Sequence, residues 1–241
     1  MRSDRYAARV AGFMFLFLIA TVGAVSVLFG SVEGTEISET FRNISGNEWR
    51  VRVSALLLIV AGISTLILAA MLYAVTKRAD RNLAILALSC RAVEAALYAV
   101  ATMSALALLS LSEESTRASA DELTAAYALG DLALNLDSWE TNVGAIFFAV
   151  GSALYSYLFL KARSVPIVLA VLGLLASLAL VVGVPLQTAA GRDTVEGASA
   201  VIWIPMIIFE ITTGLWLLIK GANVLELERG EQVNATPAQV R

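Results

Sequence analysis

The 241-residue sequence contains no histidine, one cysteine and four prolines. Without histidine there is no imidazole to ligate a metal, hold a haem or relay protons near neutral pH. The single cysteine, Cys90, cannot close a disulfide within the chain, so cysteine use is silent on redox compartment. Charge is scarce too: 15% of residues are Asp, Glu, Lys or Arg, where soluble chains carry about a quarter. No Walker loop, G-x-S-x-G, H-E-x-x-H or C-x-x-C occurs, so ATP hydrolysis, serine hydrolysis, zinc proteolysis and thioredoxin-type redox have no signature. The net charge of −3 argues against a nucleic-acid partner.

What the chain has instead is apolar length. Fifty-nine per cent of its residues are hydrophobic and the mean hydropathy is +0.79, which sets aside a soluble or disordered protein. The excess falls in six runs of bilayer-spanning size, at about residues 10–29, 53–75, 83–111, 143–160, 166–184 and 201–219. Unpaired backbone amides are too costly in hydrocarbon for anything but helices here, and barrel strands would alternate rather than run continuously. The fold class expected is an all-α membrane bundle of six helices over residues 1–221. No lysine lies inside a run, which excludes a retinal Schiff base of the usual kind.

Orientation follows the basic residues. Arg2, Arg5, Arg9, Lys77, Arg78, Arg81, Lys161, Arg163, Lys220, Arg229 and Arg241 fall on one side; Arg42, Arg50, Arg52, Arg117 and Arg192 fall on the other, among the acids from Glu33 to Glu196. Both termini are therefore expected in the cytoplasm, with the protein in the inner (plasma) membrane. Three lysines against fourteen arginines suggest a high-GC prokaryote, in which the sequon Asn43-Ile-Ser45 carries no meaning. The stretch 112–137 interrupts the apolar pattern, but Ser119-Ala-Asp-Glu122 has the form of a capping box opening a helix that continues into the fourth span. Short connections after spans two and four make their flanking helices antiparallel neighbours. Gly62 with Ala69, and Gly144 with Gly151, read as close helix contacts. Pro205 is expected to kink the sixth span.

Three charges interrupt this pattern. Arg91 and Glu94 lie within span three and Glu210 within span six. An ionised group near the bilayer centre costs at least about 2.5–3.5 kcal/mol, so such groups face inward and find partners. Arg91, Glu94, Tyr98 and Thr102 share one helical stripe. At 1.5 Å per residue, Arg91 sits about 14 Å and Glu210 about 12 Å from the same membrane face. The matching levels predict a buried network of Arg91, Glu94 and Glu210, with Tyr98 and Thr213 as hydrogen-bond partners. The network reads as a structural staple between spans three and six, or as the floor of a polar cavity that binds a ligand or relays protons. Trp139 and Glu140 fall at the outer mouth of span four, Trp139 as an interfacial anchor and Glu140 as a guard of the cavity entrance.

Several segments resemble a known family. They are Arg5-Tyr-Ala-Ala-Arg-Val-Ala-Gly12, Arg91-x-x-Glu94, Ser164-Val-Pro166 with Gly173, and Phe209-Glu210 followed by Gly214-Leu-Trp-Leu-Leu-Ile-Lys-Gly221. Together they are similar to the prokaryotic integral-membrane family called domain of unknown function 4386, over nearly the whole chain up to Gly221. The resemblance implies a multi-spanning protein, singles out Arg91, Glu94 and Glu210, and transfers no chemistry. The polar tail, residues 222–241, is expected to be disordered.

Three function classes follow. The first is a non-enzymatic protein that binds or moves a small amphiphilic or ionic molecule beside Arg91, Glu94 and Glu210. The second is an intramembrane enzyme acting on a lipid with a carboxylate as general base, ranked lower because no nucleophile or metal ligands accompany it. The third is a structural or sensory partner of another membrane protein. No cofactor is expected, and the partners expected are the lipid bilayer and a small-molecule or lipid ligand, with self-association left open.

Overall fold

The computed structural model describes the backbone of residues 2–190 and 196–222, and side chains of residues 5–189 and 201–222. Most of the expected polar tail lies outside these residues. Among the described residues there are seven helices: α1 (Arg2–Gly30), α2 (Ile37–Gly46), α3 (Glu48–Thr76), α4 (Arg81–Ser115), α5 (Ala120–Ala162), α6 (Ile167–Ala190) and α7 (Glu196–Ile219). All but α2 are long and apolar enough to cross a membrane. The protein is thus a multi-pass helical membrane protein.

Burial runs inside-out, as hydrocarbon requires. Along α6, Ile167, Val171, Leu175, Leu178, Val182 and Leu186 recur every three or four residues, and all are exposed. A helix facing water would carry polar residues on that stripe. Meanwhile Arg91, Glu94 and Glu210 are buried. The stretch 112–137 proves almost wholly helical: α4 runs on to Ser115, and α5 begins at Ala120 and continues unbroken to Ala162. Its start is capped as the sequence predicts, with the Ser119 backbone N–H and hydroxyl each donating to the Glu122 carboxylate at 2.7 Å.

The chain divides into two compact units. In the unit of residues 18–65 and 93–144, α2 is a short amphipathic helix absent from the sequence reading. It buries Thr40, Phe41 and Ile44, the last two in a cluster with Leu108, Leu109 and Ala133. Gly130 makes room for it: a Cβ there would stand 2.7 Å from Phe41 Cζ. Ahead of α2, the Glu39 carboxylate accepts from the Thr35 backbone N–H and hydroxyl, and these bonds hold its pKa below the usual value. Gly62 also packs closely, since a Cβ there would lie 3.1 Å from the Ala95 carbonyl oxygen.

The other unit comprises residues 1–17, 66–92 and 145–241. Phe148 and Ala149 of α5, Ala176 and Leu180 of α6, and Met206 and Phe209 of α7 form its core. Backbone meets backbone closely between α1 and α7. A Cβ on Gly12 would fall against the Leu218 backbone nitrogen and 2.5 Å from the Gly214 carbonyl oxygen. Neither contact is with a side chain, so neither can turn aside.

In the same unit Asp80 does two jobs. Its Oδ1 caps α4 by accepting from the Leu83 N–H at 3.2 Å, and its Oδ2 accepts from Lys161 Nζ at 2.9 Å. The Lys161 hydrogen bond first, then the Leu83 N–H, hold the Asp80 carboxyl below its ordinary pKa. A carboxylate depressed in the folded state stabilises above its unfolded pKa, and that contribution is lost as pH falls through the folded one. Asp80→Asn is therefore expected to lower the unfolding temperature slightly near neutral pH. The wild-type advantage should shrink in acid and in high salt. An advantage that persists under acid would show that the ion pair is not its source.

Candidate functional site

The candidate site lies inside the second-described unit, where α4, α5 and α7 each contribute a polar residue to an otherwise apolar interior. Arg91 of α4 is 1% exposed and Glu210 of α7 8%, and Arg91 Nη2 stands 3.8 Å from Glu210 Oε1. Two residues placed at one depth by helical rise alone therefore do meet. At 3.8 Å the pair is looser than a charge-assisted hydrogen bond, which closes to about 2.7–2.9 Å.

A shorter contact to Arg91 comes from α5. Nη2 donates to Ser152 Oγ at 2.9 Å, and the guanidinium carbon lies 4.5 Å from the centre of the Phe148 ring, within cation–π range. Phe148, Ser152 and Ser156 are four residues apart and so share one face of α5. Gly151 makes the approach possible: a Cβ there would lie 3.3 Å from Cys90 Cβ and 3.5 Å from Arg91 Cγ. The arginine stem lies along α5, with its head group beside Ser152.

The polar seam continues for a turn. Ser156 follows Ser152 on α5, and Thr213 follows Glu210 on α7; both are fully buried. The hydroxyl oxygens of both lack a hydrogen-bond partner among the described residues. Buried hydroxyls usually find one, so each is an unsatisfied polar group in an apolar interior. Ser156 also borders Gly173, whose added Cβ would stand 2.5 Å from Ser156 Oγ and collide with the Phe209 ring.

The remaining predicted site residues belong to the other unit. Glu94 is buried and Tyr98 half-buried, and Tyr98 borders Gly62. Trp139 is 56% exposed. Glu140 is half-buried, with Glu94 and Asp137 within electrostatic reach. That unit also holds an open cavity of about 820 Å³ bordered by Glu48, Glu113, Glu114, Arg117 and Glu122. Several of these carboxylates are engaged structurally: Glu113 and Glu48 pair with Arg52 at 2.8 and 3.4 Å, and Glu122 caps α5.

Sequence reasoning missed Ser152 and Ser156. In Gly151-Ser-Ala-Leu-Tyr-Ser156, a serine reads as a small packing residue; only the period of four from Phe148 could have marked them. No curated protein and no solved structure matches the chain. Residues 10–221 match the family described as Domain of unknown function (DUF4386), and the chain belongs to that family.

Proposed function

We propose that this is a prokaryotic protein of the inner (plasma) membrane, with both termini in the cytoplasm, that binds or moves a small amphiphilic or ionic molecule at the Arg91–Glu210 centre. The crowding of basic residues toward one set of helix ends supports the orientation. The observation that carries the activity is the loose 3.8 Å pair beside the unsatisfied hydroxyls of Ser156 and Thr213. A pair shaped only for stability would close up and satisfy its neighbours. Here the Ser156 and Thr213 hydroxyls keep hydrogen-bonding capacity for a ligand's polar group, in the company of a cation and a carboxylate.

A second reading, a structural staple, is favoured by the near-complete burial of Arg91 and its stacking on Phe148. Native mass spectrometry of the purified full chain separates the two. A ligand site should show a retained adduct in the wild type that Glu210→Gln loses while the purified variant is still folded at the temperature of the measurement. An adduct that survives Glu210→Gln, or no adduct on the wild type, would overturn the ligand reading in favour of the staple.

A further inference from the structure

The first turn of α6 and the last two turns of α7 border an open groove of about 440 Å³, within the unit that holds Arg91. That volume falls in the range of small-molecule sites, about 300–1,000 Å³. Its walls include Pro166, just ahead of α6, Leu169 of α6, and Leu215 and Ile219 of α7, with Trp216 and Lys220 completing the α7 side. Leu215 and Ile219, like Trp216 and Lys220, are four residues apart, so the groove follows the axis of α7 to its end.

One polar feature marks that end: Lys220 is exposed, directly after the last residue of α7, and borders the groove. An apolar channel with a cation at the end of a membrane-spanning helix complements an amphiphile with an apolar chain and an anionic head.

We propose that this groove is a binding site for one anionic phospholipid. An acyl chain lies along Pro166, Leu169, Leu215 and Ile219, and the phosphate sits at Lys220. A free anion would leave the apolar walls unused. A zwitterionic lipid would bring a cation of its own towards Lys220. Tryptophan and lysine at the ends of membrane helices commonly meet headgroups in this way, and an interfacial lysine contributes a recognisable share of anionic-lipid affinity. The site is separate from the Arg91–Glu210 centre and does not rest on its function.

The test titrates the full-length protein in detergent with phosphatidylglycerol, phosphatidylcholine or inorganic phosphate, and counts bound molecules by native mass spectrometry. The wild type should prefer phosphatidylglycerol over phosphatidylcholine and bind phosphate alone negligibly. Lys220→Gln should weaken phosphatidylglycerol binding about fivefold, the effect expected of one interfacial lysine. Lys77→Gln, at another exposed basic residue, should leave it unchanged. Leu215→Trp, which fills the groove from an exposed position, should weaken both lipids. Equal binding of the two lipids by the wild type, an equal loss in Lys77→Gln and Lys220→Gln, or unaltered binding in Leu215→Trp would each overturn the proposal.

Discussion

Arg91→Met is expected to lower the unfolding temperature of the detergent-solubilised protein by about 6–20 °C, from about 3–5 kcal/mol for breaking a buried pair and about 2–4 °C per kcal/mol at this chain length. Methionine preserves most of the side-chain length and can still pack on Phe148. What it removes is the cation 3.8 Å from Glu210 and the donor to Ser152. The buried Glu210 carboxylate then loses this cation in a largely apolar interior, which strains the packing around it. Neutralising both members should cost far less than neutralising one. Arg91→Met combined with Glu210→Gln is therefore expected to recover more than half of the loss, an interaction that a double-mutant cycle reads directly. The control is Leu175→Met on the exposed stripe of α6. If Arg91→Met shifts the transition no more than that control, the buried pair does not stabilise the protein.

The second large effect is expected at Gly12. Alanine in place of glycine within a helix normally stabilises by about 0.5–1 kcal/mol. At Gly12 the new methyl group would press on the backbone of Leu218 and Gly214, and main chain cannot rotate away. Overpacking costs about 1–3 kcal/mol even where side chains can adjust, so Gly12→Ala should lie at or above the top of that range. Gly214→Ala should be milder, because its Cβ would stand 3.1 Å from Phe15 Cβ and 3.2 Å from the Gly12 oxygen. Gly23→Ala, on the same helix as Gly12 but with nothing within 4 Å, should stabilise. The three variants form a ranking that thermal unfolding in one detergent can check. A Gly12→Ala protein as stable as Gly23→Ala would mean that α1 and α7 do not cross at these glycines.

The six spans were legible because hydrocarbon demands a run of about 20 apolar residues, a signal that survives without any tertiary information. The meeting of Arg91 with Glu210 was legible for a similar reason: helical rise is rigid, so depth can be counted along the chain. The short helix α2 was harder. Ile37, Phe41 and Ile44 have helical spacing, but in ten residues their pattern is outweighed by Glu39, Arg42 and Asn43. The place of Ser152 beside the guanidinium depends on which face α5 turns inward, and small residues leave several faces eligible. The Gly12 crossing is illegible for the same reason: a glycine in an apolar helix declares that something can approach, without declaring what does.

That crossing also imposes an order on the chain's synthesis. Gly12 leaves the ribosome first and Gly214 about 200 residues later, which at about 5–20 residues per second leaves α1 waiting about 10–40 s for its partner. Throughout that interval the glycine face of α1 meets lipid or a passing helix instead of α7. Closure of the contact between α1 and α7 therefore waits on synthesis of α7, and a product truncated before α7 would keep that face open to whatever machinery inspects unfinished membrane proteins.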